Sequence, residues 1–185
     1  MHSILEARSL RGAAVLAATL FVGGAAAIGQ ESPYVGLEAR PIKSLSEDRQ
    51  RDYLEGAGMG FALAGELNGY PGPKHVLELQ QELGLSLQQL ERVQEIFDAM
   101  RDEAMHLGTE IVEREGRLDE AFASRAIDAV SLARITEEIG RLNGRLRGAH
   151  LRAHLETAAL LSPHQRVLYG QLRGYGAGGE HGRHH

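Results

Sequence analysis

Two short motifs frame this chain. Leu85-Ser86-Leu87-Gln88-Gln89 and Leu161-Ser162-Pro163-His164-Gln165 carry leucine, serine and glutamine at the same spacing. In each, the serine is placed to act as a helix N-cap, and the glutamine three residues on can reach back to the cap's own backbone N–H, the reciprocal arrangement of a capping box. Pro163 strengthens the second copy, because a proline at the first helical position loses no useful donor and arrives with φ already set. The leucine before each serine supplies the N′ half of a hydrophobic staple. One such motif marks only a helix start; two of them bracketing a long periodic stretch point to a helical hairpin.

That stretch has the required rhythm. Leu90, Val93, Phe97, Met100, Ala104, Leu107 and Ile111 recur at spacings of three and four, a coiled-coil-like seam that runs on loosely through Leu118 to Phe122. The pattern lapses over Ser124 to Asp128, and Asp128 is the candidate N-cap of the next helix. Ile135, Ile139, Leu142, Leu146, Ala149, Ala153 and Leu160 then repeat the rhythm, with Glu156 interrupting. Two long seams joined by a short connection predict an antiparallel hairpin, and the second motif predicts a last helix to about Arg173.

Upstream, Ser44-Leu45-Ser46-Glu47 is a further capping pattern and predicts a helix beginning near Ser44. Gly56-Ala57-Gly58-Met59-Gly60 reads as a joint and not as a phosphate-cradling loop, since no strand precedes it. Phe61, Leu63 and Leu67 suggest a short apolar helical segment, ended by the breaker cluster Asn68 to Pro73. Pro73 can open another short helix, His75 to Leu83, with Gly84 at C′. The expected fold is therefore all-α: a long antiparallel helical hairpin with a jointed N-terminal helical arm and a short C-terminal helix. With 43% hydrophobic but only 5% aromatic residues and no tryptophan, a thin helical layer is expected in place of an aromatic-centred core.

Residues 1–29 read as a cleaved secretory signal, with Arg8 and Arg11 as the charged start, an apolar run from Gly12 to Gly24, and small residues at Ala25-Ala26-Ala27 or Ala27-Ile28-Gly29. The helical domain is expected over residues 30–173, and residues 174–185 form a Gly/His-rich tail expected to be disordered. Export of a small helical chain suggests the periplasm. The chain has no cysteine, which excludes disulfides, thiol catalysis and thiolate metal sites. Of its 20 basic and 25 acidic residues, 18 and 24 remain without the leader, a formal charge of −6 that disfavours a nucleic-acid partner.

Chemistry concentrates in the histidines. His150 and His154 stand four residues apart, so both rings can lie on one helix face and share a metal ion, or form a polar flank beside the seam. A third ligand would come from His106 or Glu103 on the facing helix, or from His75 and Glu78 on the arm. With no thiolates, the candidate ions are zinc, nickel and copper. The tail, Glu180 to His185, offers further loose imidazoles. No Ser/His/Asp arrangement follows from the spacing, and no enzyme is expected.

The paired motifs, over roughly Leu77 to Tyr169, resemble the LTxxQ family of bacterial periplasmic proteins, the Spy/CpxP chaperones and related periplasmic metal sensors and zinc-binding proteins. Serine stands for the usual threonine in both copies and keeps the capping hydroxyl. The resemblance implies a homodimer that binds unfolded or aggregation-prone clients in envelope stress, with neither ATP nor a cofactor required. The alternative it implies is a heavy-metal sensor with a membrane-bound signalling partner, or a metal-binding resistance protein.

Overall fold

The structure, a computed structural model, describes residues 32–175; the leader expected over 1–29 and the tail beyond Tyr175 lie outside the described residues. From Gly36 to Tyr175 the described residues form one compact unit. Among the described residues, a 3-10 turn at Leu37–Ala39 is followed by six α-helices: α1 Glu47–Leu54, α2 Leu63–Glu66, α3 Pro73–Glu78, α4 Leu87–Ala123, α5 Ala129–Leu160 and α6 Pro163–Leu172. Among the described residues there is no strand, and no helix is long and apolar enough to cross a membrane.

Local chemistry sets the ends of the long helices. Ser86, Asp128 and Ser162 are N-caps, each with both halves of a capping box formed. α4 and α5 pack antiparallel, held at one end by Arg152 Nη2 to the Glu103 carboxylate (2.8 and 2.9 Å) and towards the other by Arg114 Nε to Glu138 Oε2 (2.8 Å). The Arg114 guanidinium holds the Glu138 carboxyl below its ordinary value.

Two apolar clusters hold the layer together. One gathers Leu45, Tyr53, Ala104, Leu107, Ile111, Leu142 and Leu146; the other gathers Val76, Leu83, Val93, Leu161 and Tyr169. The expected seam is thus buried at Val93, Ala104, Leu107 and Ile111, but Phe97 and Met100 are only half-buried, and Ile96 and Gly108 are buried instead. Gly108 is where α1 crosses α4: a Cβ there would lie 2.0 Å from the Tyr53 carbonyl oxygen, so only glycine permits the contact.

The arm departs from expectation in three places. Helix α1 is capped by Ser46, whose hydroxyl accepts from the Arg49 N–H, not by Ser44. Leu45 is drawn into the core, which moves the helix start past it, and Ser44 Oγ donates instead to Glu115 Oε2 at 2.8 Å. Helix α2 is four residues long, with Leu63 and Leu67 exposed and Glu66 buried, the reverse of the apolar face expected there. Helix α3 starts at Pro73, as expected, but ends at Glu78.

Candidate functional site

The two sequence motifs meet in space. Gln89 Nε2 donates to the Leu160 carbonyl (2.9 Å) and to Gln165 Oε1 (2.9 Å), while Gln165 Nε2 donates to the Leu83 carbonyl (3.3 Å) and to Gln89 Oε1 (3.2 Å). Each glutamine oxygen also accepts the backbone N–H of its own capping serine, at 3.0 Å for Ser86 and 2.9 Å for Ser162. Leu161 is buried beside them and Leu85 half-buried, both in the second cluster. The motifs therefore lock the N-termini of α4 and α6 together, a structural task that engages both donors of each glutamine carboxamide.

The chemistry lies between the two clusters. Along α4 the residues Phe97, Met100 and Arg101 fall between Val93 and Ala104, and along α5 His150 and His154 fall between Leu146 and Leu161. These side chains line a cleft of ≈ 390 Å³, closed on its other side by the arm at Gly56 to Gly58 and at Gly72 to His75. Phe97 and Met100 are half-buried because the arm does not cover them, so part of the predicted seam is a cleft wall.

His150 is 4% exposed and stacks on Phe61, ring centroids 5.7 Å apart. Its Nε2 is buried with no hydrogen-bond partner. Burial first, and then the neighbouring His154, hold this imidazole below its ordinary value, so the ring is kept neutral with a lone pair free. The ring belongs to the core face of α5 and is not a flank beside it.

His154 is oriented by the arm. Its Nδ1 lies 2.7 Å from the Tyr70 carbonyl, which can only accept, so Nδ1 carries the proton and Nε2 keeps its lone pair. Gly72 leaves room for the ring: a Cβ there would lie 2.9 Å from His154 Cε1 and Nε2. Behind it sits Glu66, which sequence reasoning missed. Glu66 Oε1 accepts from the Tyr169 hydroxyl (2.6 Å) and the Tyr175 hydroxyl (2.9 Å), and Oε2 accepts from the Gly72 N–H (3.1 Å) and lies 3.6 Å from His154 Nδ1. Burial and the Glu66 carboxylate raise Tyr169 well above its ordinary value, so it stays a donor. Tyr175, placed by its sequence in the tail, thereby joins the folded part.

The other predicted ligands are dispersed. His75 reaches the cleft, but its Nδ1 is engaged by Glu78 Oε2 at 2.7 Å. His106 is exposed on α4, with Nε2 3.1 Å from Glu110 Oε1, and does not line the cleft. Glu103 is held by Arg152.

Fold and cleft together define an all-helical protein that presents imidazole nitrogens between two core clusters. Residues 56–167, more than half of the chain, match the heavy-metal resistance family, and the chain belongs to that family. No curated protein and no solved structure matches it. The cleft fits a metal in its donors, since His150 offers an orphaned buried nitrogen and His154 an oriented one. Among the described residues, however, no three His, Asp or Glu side chains converge to hold an ion.

Proposed function

We propose that this chain is an exported, periplasmic heavy-metal-resistance protein that holds a metal ion at His150 and His154. The observation that carries the reading is His150 Nε2, a ring nitrogen buried without a hydrogen-bond partner inside the family-matched segment. Such an atom is costly to leave unpaired, and a metal would satisfy it. Both imidazoles that would hold the ion belong to α5, His154 being oriented by the Tyr70 carbonyl of the arm, and the ion would supply a Lewis-acidic centre there. Two imidazoles from one chain leave coordination to be completed by solvent or by a second copy, which agrees with the dimer expected from the motif resemblance.

The test is metal binding by the exported chain with His181, His184 and His185 replaced by alanine, so that tail imidazoles do not contribute. His150→Gln and His154→Gln should each remove most of the affinity. Equal binding with and without both histidines defeats the reading.

The second reading, an ATP-independent chaperone of the Spy/CpxP kind, is supported by large apolar side chains left open, among them Leu87 (86% exposed), Val130 (78%) and Val167 (63%). Failure to suppress the aggregation of an unfolding protein, even in excess, would set it aside.

A further inference from the structure

We propose that the ion selected by this cleft is copper(I), held by His150, His154 and the thioether of Met100. The inference rests on the metal-binding reading above and names the class of ion it takes.

Three observations point the same way. The first is the donor set. Of the imidazoles lining the cleft, His75 has its Nδ1 held by Glu78 and its side chain 34% exposed, whereas His150 and His154 are nearly covered and have Nε2 without a hydrogen-bond partner, as has the half-buried Met100 sulfur. Two imidazoles suit copper, zinc and nickel alike and leave the choice to the thioether, which selects copper(I) over the harder dications. Met100 has three rotatable bonds, so its sulfur can swing within the cleft.

The second is coordination number. Zinc sites take four ligands, of which the protein supplies three or four nitrogen, oxygen or thiolate donors. No such trio converges among the described residues, and the chain has no cysteine. A two-coordinate ion, or a three-coordinate one that takes the Met100 sulfur as its third donor, needs no third nitrogen, oxygen or thiolate.

The third is charge. The cleft lining holds one carboxylate, Glu55, against the cations Lys74 and Arg101, and Glu66 behind His154 is taken up by two tyrosines and a backbone N–H. With neutral donors and a net positive rim, a dication would have only the outer Glu66 carboxylate, 3.6 Å from His154 Nδ1, to offset its charge, and a monovalent ion needs less.

The experiment titrates the exported chain, with its tail histidines replaced by alanine, under anaerobic conditions with copper(I) against a chromophoric copper(I) chelator. Parallel titrations use zinc(II) and nickel(II) against a fluorescent chelator. One copper(I) per chain is expected, bound at least about 100-fold more tightly than either dication. Met100→Leu, which conserves volume, should weaken copper(I) by about tenfold or more and leave zinc unchanged. In the unsubstituted protein, silver(I), a redox-inert stand-in, should shift the Met100 methyl resonance, a readout that holds even if the variant folds poorly. Zinc or nickel binding as tightly as copper(I), or a Met100 methyl that silver does not move, overturns the inference while leaving the metal-binding reading intact. Binding of no metal at all overturns both.

Discussion

The carboxamides of Gln89 and Gln165 hydrogen-bond to each other in both directions, at 2.9 and 3.2 Å, across 76 positions of sequence. Each belongs to a capping box that would form in an isolated helix, so what the pairing adds is tertiary: a local signal is reused as a clamp between α4 and α6.

The clamp reverses a ranking that the sequence suggests. Read locally, Ser162 should matter more than Gln165, since the cap hydroxyl is the principal half of the box. Gln165, however, is 8% exposed and serves the Ser162 N–H, the Leu83 carbonyl and Gln89 at once. Ser162→Ala is expected to cost about 1 kcal/mol and Gln165→Ala about 2–3 kcal/mol, because the latter strands buried partners. Urea melts of both variants check the order. A double-mutant cycle should couple Gln89 and Gln165 by about 1 kcal/mol or more.

Gly108 gives a second prediction. Alanine is the better helix former by about 1 kcal/mol, so on propensity alone Gly108→Ala would stabilise α4. The 2.0 Å approach to the Tyr53 carbonyl makes the opposite outcome expected: α1 must lift from α4, with a net loss of about 2–3 kcal/mol. A melting temperature equal to or above that of the parent would contradict the crossing described here.

Tyr169 tests the Glu66 network. Tyr169→Phe keeps the ring in the second cluster and removes only the hydroxyl that donates to Glu66 Oε1. A hydrogen bond to a carboxylate is worth about 1.5–3 kcal/mol, and a loss in that range is expected from denaturant unfolding. A change below about 0.5 kcal/mol would mean that Tyr175 and Gly72 satisfy Glu66 without it.

How much of this was legible follows from where the information sits. The starts of α4 and α6 could be read at Ser86 and Ser162 because a capping box is a contact between residues three apart, and that of α5 at Asp128 because the apolar period lapses just before it. The α1 start could not, since Leu45 and not the local Ser44 pattern decides it, by entering a core whose other members lie on α4 and α5. The apolar period located most of the buried seam, but a period cannot tell a core position from a cleft wall, and Phe97 and Met100 differ only in what the arm leaves uncovered. Glu66 was invisible because its partners Tyr169 and Tyr175 lie more than 100 residues away. His150 and His154 were legible as a pair, whereas the burial of the first and the orientation of the second were not.

The last prediction concerns acid. His150 is held below its ordinary value near 6.5 by burial and by His154, so in the metal-free protein the unfolded chain accepts a proton at this residue before the folded chain does. Between 6.5 and the lower folded value the unfolded state therefore binds more protons, and stability rises with pH across that window. Above about pH 7.5 both states hold the ring neutral and the contribution is full. As pH falls through and below 6.5 it is lost, with a slope of at most about 1.4 kcal/mol per pH unit from this one proton. His150→Phe, which keeps an aromatic ring against Phe61, should flatten the pH dependence of unfolding between pH 7.5 and 5 by that increment, leaving any slope from the other histidines in place. Urea unfolding of the two proteins at pH 7.5, 6.5 and 5.5 measures the difference directly, and parallel slopes for parent and variant would show that the buried imidazole is protonated as readily in the folded chain as in the unfolded one.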